Sequence, residues 1–268
     1  MVSAGGAWER AILQARGELV SADLPPYYSS LSPFREVLQG GGGMLTYHHV
    51  GPRPRGVRLK GLYVSPELFA QQMNELRGAG FITEPYGNFS SGARKAAPRI
   101  AITFDDGFRD VFEHALPVLR EAQFNAIQFL VADFIGQTSE WQTPSGEIPG
   151  KLMDLEEIKD WIAAGNQIGS HTLRHPRLTR ISLAQATEEI RASKKKLEDC
   201  FGLAIEHFCY PYGDWNAAIR DAVQAAGYRT ACTTIPGVNT NSTDRLALCR
   251  FTARYRSRSL WNLFSARS

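Results

Sequence analysis

The sequence predicts an α/β fold: a largely parallel sheet with helices packed outside it, closed into a barrel or near-barrel. Three observations carry this. From Met44 onward, short β-branched and aromatic runs alternate with amphipathic helical stretches. Seven or eight such runs occur, which suits a barrel. Acidic, histidine and aromatic residues stand where runs end, at Asp105, His171 and Tyr212, and the rim at the strand ends is where α/β barrels build their sites. At 268 residues the chain is within the range of a single domain of this kind.

The elements follow in order. Residues 1–43 are weakly patterned: an amphipathic start, the Pro-rich LPPYYSSLSP, then Gly40–Gly43, which reads as an extension with a flexible linker. MLTYHHV (44–50) is a strand running into a loop, and 52–61 is a basic loop. Residues 65–80 form a helix with Ser65 as N-cap, Pro66 in the first turn, and Gly78 and Gly80 as stops. A short strand lies in FITEPY and a stronger one in RIAITF (99–104). Residues 109–122 are helical, with Pro117 forcing a kink or a boundary. Then come strand 125–133, loop 141–150, and helix 153–165 with Asp154 and Glu157 as a capping box. Strand 166–171, helix 182–202 closed by Gly202, strand 205–213, helix 214–227, strand 228–234 and a last strand within 246–255 complete the domain. Residues 44–255 are thus the expected barrel and 256–268 a basic tail.

Composition bounds the function. Net charge is +3, so nothing global calls for nucleic acid. No run approaches the roughly 18 apolar residues of a membrane span, and the N-terminal stretch has no apolar signal core. The expected location is therefore cytoplasmic or peripheral to the membrane. The arginine-rich C-terminus, with Trp261, Leu263 and Phe264, offers contact with an anionic membrane surface. The four cysteines, Cys200, Cys209, Cys232 and Cys249, form no CxxC pair and read as buried free thiols. The oligomeric state is not legible.

Three segments carry chemistry. In Thr103-Phe104-Asp105-Asp106-Gly107 two adjacent carboxylates follow an apolar strand. Successive side chains diverge along an extended backbone, so the two acids can take different tasks. On spacing alone, the segment is equally a polar strand-end turn. In Ser170-His171-Thr172-Leu173-Arg174-His175-Pro176 two histidines stand four apart, and on a helical turn they would share one face and grip one metal. Imidazole with carboxylate suits Zn²⁺, and less well Co²⁺, Ni²⁺ or Fe²⁺. Phe208-Cys209-Tyr210-Pro211-Tyr212-Gly213 ends a strand in a turn that can present an aromatic ring and a backbone N–H.

TFDDG, SHTLRHP and YPYG, in that order and spacing, resemble the polysaccharide deacetylases of carbohydrate esterase family 4, the NodB homology domain, over about residues 44–252. The resemblance implies a distorted (β/α)7-type barrel and a divalent metal, Zn²⁺ foremost, held by Asp106, His171 and His175. It further implies Asp105 as catalytic base, the Tyr212 backbone N–H as an oxyanion donor, and an N-acetylated oligo- or polysaccharide as substrate. The implied activity is hydrolytic removal of N-acetyl groups. An O-acetyl esterase, a non-sugar amidase, or a non-catalytic glycan-binding protein with a decayed site are the alternatives.

The sequence departs from that pattern in two places. Many relatives carry an arginine that orients the catalytic aspartate two residues before the Pro-Tyr, where this chain has Cys209. Many also place the acid histidine late, and this chain has none after His207. LTYHHV resembles the YHxV element of the branch that includes poly-N-acetylglucosamine deacetylases, which makes His48 the expected general acid and His49 its competitor. Arg250 is the expected substitute for the missing arginine. Trp141 is a possible sugar-stacking residue, and His114 and His207 read as structural.

Overall fold

The computed structural model describes residues 42–87 and 97–253; residues 1–41 of the N-terminal extension and the basic tail with its expected membrane contact lie outside the described residues, while Gly43, expected in the linker, is paired as the first residue of the opening strand. The strands are β1 (Gly43–Tyr47), β2 (His49–Val50), β3 (Tyr63–Val64), β4 (Ile82–Thr83), β5 (Arg99–Phe104), β6 (Ile127–Leu130), β7 (Gln167–Ser170), β8 (His207–Cys209), β9 (Thr230–Cys232) and β10 (Phe251–Thr252). The main sheet runs β10-β1-β5-β6-β7-β8-β9 with every pairing parallel. β4 pairs with Arg99 and Ile100 at the start of β5, while β6 pairs with Thr103 and Phe104 farther along. β2 and β3 form a separate two-stranded ribbon.

The sheet curls because residues 245–252 bridge its two ends. Leu248 pairs with Cys232 of β9, and Phe251 and Thr252 pair with Leu45 and Thr46 of β1. The sequence predicts one strand across 246–255, but the segment is shared between two neighbours and only β10 is regular strand. Asn239 holds this seam: its side-chain amide donates to the carbonyls of Gly42 and Cys249 and accepts from the Cys249 N–H.

Strand alternation sorts the side chains into two layers. Met44, Ala101, Ile127, Phe129, Cys209, Cys232 and Leu248 fill the barrel interior, with Tyr86 joining them. Leu45, Tyr47, Ile100, Ile102, Phe104 and Phe208 face outward, into the larger apolar layer beneath the helices. A β-carbon at Gly169 would lie 2.6 Å from the Phe129 ring, so the narrow interior admits only glycine there.

The helices are α1 (Pro66–Gly78), α2 (Leu116–Ala122), α3 (Leu155–Ala163), α4 (Leu183–Phe201) and α5 (Ala217–Ala225). Ser65, Asp154, Ser182 and Asn216 cap them through side-chain bonds, Asp154 and Ser182 in full capping boxes. Pro117 is accommodated rather than kinking a helix interior. A π-helical turn, Val111–Ala115, precedes it, and Pro117 lies in the first turn of α2, where no N–H donor is needed.

Candidate functional site

Asp105 continues the inward parity of Ala101 and Thr103 past the end of β5, which points its carboxylate into the barrel mouth. Its backbone N–H donates to the Tyr47 carbonyl, and its carbonyl accepts from the Gln128 side chain. The chain then turns through Asp106 (φ 75°) and Gly107 (φ 86°). This left-handed step brings Asp106 to the same mouth instead of the opposite face.

His171 and His175 converge by a route the helical-turn expectation does not describe. Residues 171–177 form no helix; Thr172 and His175 take positive φ, at 71° and 63°. Among the described residues, four of the five non-glycine positions with positive φ, Asp106, Thr172, His175 and Tyr212, lie in the three motifs. Strained backbone of this kind persists where surrounding structure enforces it, often at functional sites. The enforcing contacts are visible. Thr172 Oγ1 accepts from the His175 N–H, and the Glu189 carboxylate of α4 accepts from the N–H groups of Leu173 and Arg174.

The three ligand atoms form a nearly equilateral triangle. His171 Nε2 is 3.4 Å and His175 Nε2 3.2 Å from Asp106 Oδ1, and the two nitrogens are 3.2 Å apart. The edges of a tetrahedron around an ion with ligand bonds of roughly 2.0–2.1 Å are about 3.3 Å. His171 Nδ1–H donates to the Cys209 carbonyl at 2.7 Å, which leaves Nε2 as the ligating nitrogen. Asp106 Oδ1 is buried without a hydrogen-bond partner. A buried anionic oxygen left this way, facing two imidazole nitrogens, fits a bound cation. All three residues are buried. Burial opposes ionisation of Asp106, yet the His171 and His175 imidazoles facing it hold its carboxyl well below the usual range.

Asp105 has a different partner. Arg250 clamps it with two parallel bonds, Nη1 to Oδ1 and Nη2 to Oδ2, each 2.8 Å. The guanidinium also donates to Thr103 Oγ1 and the Thr233 carbonyl, and Nη2 lies 3.2 Å from Cys209 Sγ. The arginine missing at position 209 is thus replaced by one reaching across the barrel, and the small cysteine leaves room for it. Burial raises the Asp105 pKa, but the charge and hydrogen bonds of Arg250 outweigh it and the net direction is down.

The adjacent histidines separate cleanly. His49 is buried, stacked against Tyr63 and Phe108, with Nδ1 bonded to Asp110 at 2.7 Å. His48, in the break between β1 and β2, points Nε2 toward Asp105 Oδ2 at 3.8 Å. Burial lowers its pKa against the opposing pull of Asp105 and Asp106.

Tyr212 is exposed, with φ 59°, and its ring packs 4.5 Å from that of His175. Trp141, expected to stack on a sugar, stacks on His175 at 5.1 Å. His207 lies at the start of β8, bonded to Thr230 Oγ1, away from the mouth. All four cysteines are free, and Cys200 is exposed rather than buried. The bracing role of Glu189 and the pairing of Asp110 with His49 had no signal in the sequence. Both are contacts between distant segments.

A parallel α/β barrel whose mouth holds an Asp-His-His triangle that could take a metal, beside a clamped second carboxylate, defines a class: α/β barrels with a candidate metal centre at the strand ends. Residues 92–231 match the polysaccharide deacetylase family, and the chain belongs to that family. YxkH of Bacillus subtilis is 29% identical over 151 residues, which cover 56% of this chain and 50% of that protein. The peptidoglycan-N-acetylglucosamine deacetylase PgdA of Listeria monocytogenes is 29% identical over 131 residues, covering 48% of this chain and 24% of PgdA. The chitooligosaccharide deacetylase of Sinorhizobium fredii is 23% identical over 133 residues, 49% of this chain and 54% of that protein. The match thus spans about half the length of YxkH and of the Sinorhizobium protein. In fold, the chain resembles the Streptococcus pyogenes deacetylase PplD, with TM-score 0.67, 21% identity, and coverage of 85% and 98% of the two chains. It also resembles IcaB from Ammonifex degensii, with TM-score 0.68, 24% identity, and coverage of 85% and 97%. Among the described residues, no helix is long and apolar enough to cross a membrane.

Proposed function

We propose that the protein is a metal-dependent hydrolase that removes N-acetyl groups from an N-acetylated glycan. The observation that carries this is the Asp106–His171–His175 triangle set beside Asp105 and His48. Two relatives named for N-acetylated glycan substrates, PgdA and the chitooligosaccharide deacetylase, support the substrate class. The donor set of one carboxylate and two imidazoles favours Zn²⁺, with Co²⁺, Ni²⁺ or Fe²⁺ as substitutes. Bound there, the ion supplies Lewis acidity toward the acetamide carbonyl and lowers the pKa of a nearby water.

The chain's own residues supply the rest. Asp105 accepts the proton of the attacking water. Arg250 keeps it ionised and holds its two oxygens in one orientation. The backbone N–H of Tyr212 steadies the developing oxyanion. His48 donates a proton to the departing sugar amine; it lies on the Asp105 side of the mouth, whereas His49 is committed to Asp110. This assignment fits the branch with an N-terminal YHxV element. A decayed site was admissible because Cys209 stands in the arginine position; the Arg250 clamp removes that reason. Residues 44–255 constitute the catalytic barrel in this reading.

Two variants test it together. Asp105→Asn should lower turnover of N-acetylated chitooligosaccharides by about 10²–10⁴-fold while metal content stays stoichiometric. His171→Ala should lose the metal itself. Full activity in Asp105→Asn, or undiminished metal in His171→Ala, contradicts the assignment.

A further inference from the structure

We propose that the glycan this site prefers carries an anionic group, a carboxylate or phosphate, within about one sugar of the scissile acetamide, and that Arg177 engages it. The inference rests on the deacetylase reading and adds a specificity to it.

Arg177 follows the metal loop and lies over the Tyr212 ring, its guanidinium carbon 4.0 Å from the ring centre. The Tyr212 ring in turn lies 4.5 Å from that of His175. A cation therefore stands two rings from the metal triangle, on the exposed lip of the mouth. Asp214, which reaches the segment just after Arg177, is committed elsewhere: both its oxygens accept from Thr179. The neighbouring Arg174, by contrast, is paired with Asp133 and Glu189. Held over an aromatic face, Arg177 loses little freedom on meeting an anion.

A second stretch raises the same field. Between His48 and Ser65 the chain has Arg53, Arg55, Arg58 and Lys60 and no acid. All four are exposed. The loop leaves β2 directly after His48 and His49 and returns along β3. Arg58 donates to the Ser145 carbonyl, and the Arg58 and Leu59 N–H groups donate to Glu147. Those contacts lie just beyond Trp141, which stacks on His175. The basic loop thus starts beside His48 and is tied to the segment that follows Trp141, and like charges near a cleft draw oppositely charged substrate toward it.

The test compares kcat/KM on a neutral N-acetylglucosamine tetramer, on a tetramer alternating N-acetylglucosamine with N-acetylmuramic acid, and on the latter with its carboxyls amidated. The acidic tetramer should be preferred over its amidated form by about tenfold, the effect of a charge-assisted contact of ordinary strength, and added salt should shrink the preference. Arg177→Gln should collapse that ratio, while Arg177→Lys should retain part of it. A ratio near one in the unaltered protein overturns the proposal. So does an Arg177→Gln variant that slows the acidic and amidated substrates equally, which would reduce Arg177 to a support for Tyr212. Turnover of the neutral tetramer without charge preference leaves the deacetylase reading standing; turnover of none of the three contradicts both.

Discussion

At the scale of single residues, the decisive feature is the division of labour between two adjacent carboxylates. Asp105 keeps strand parity and meets Arg250, while Asp106 turns left-handed and meets two imidazoles. Each has its pKa lowered, but by different partners: a permanent cation for Asp105, two facing imidazoles for Asp106. The Asp105–Arg250 pair is fully buried, so its bidentate geometry and not its charge alone justifies it. Arg250→Lys tests this, since lysine keeps the charge and loses the fork. Activity should drop about 10–100-fold, the range seen when a supporting contact of a catalytic group is removed, with the far-ultraviolet circular dichroism unchanged. An active Arg250→Lys enzyme would show that charge suffices. The convergence of Asp105, Asp106, His171 and His175 was legible in the motifs because acids, histidines and glycines at fixed spacing are few. The clamp by Arg250 was expected only through the family resemblance. Arg250 and Asp105 are 145 residues apart, and no local pattern records such a contact.

At the scale of elements, the metal loop is held from outside by α4. Glu189 is buried, and its carboxylate caps the N–H groups of Leu173 and Arg174, while the Thr172 and Leu173 carbonyls accept from the Ala132 and Asp133 N–H groups. Removing that brace leaves two N–H groups unpaired and lets the left-handed turns at Thr172 and His175 relax. Glu189→Ala should therefore weaken metal binding about 10-fold, read by titration against a competing chelator, although no ligand is changed. Unaltered affinity would place the loop's rigidity in Thr172 and the barrel instead. Most elements were legible: the Ser65 and Asp154 N-caps and the Gly202 stop are local signals that tertiary packing did not override. The metal loop was not. Histidine spacing of four implies a helical turn, and the backbone reaches the same convergence through strained turns that depend on Glu189.

At the scale of the whole molecule, the barrel has a polar, strained mouth and an opposite end where the strands begin. His207 stands there, at the first residue of β8, with its ring against Tyr86 and Nδ1 bonded to Thr230 Oγ1. Burial pushes its pKa down from 6.5 to about 4. The unfolded chain therefore binds a proton below about pH 6.5 that the folded barrel refuses until about pH 4. In that window the unfolded state holds more protons, so stability rises with pH. The contribution is fully present above 6.5 and is lost as pH falls toward 4. Integrated over the window it is on the order of 3 kcal/mol, enough to matter against a typical domain stability of about 5–15 kcal/mol. His207→Gln keeps hydrogen-bonding capacity toward Thr230 and cannot titrate. Urea unfolding of chelator-treated protein should show the variant losing about 2–3 kcal/mol less than the original chain between pH 6.5 and 4. Two parallel stability curves would mean that the strand-entry end tolerates a charged imidazole and that acid sensitivity resides at the mouth.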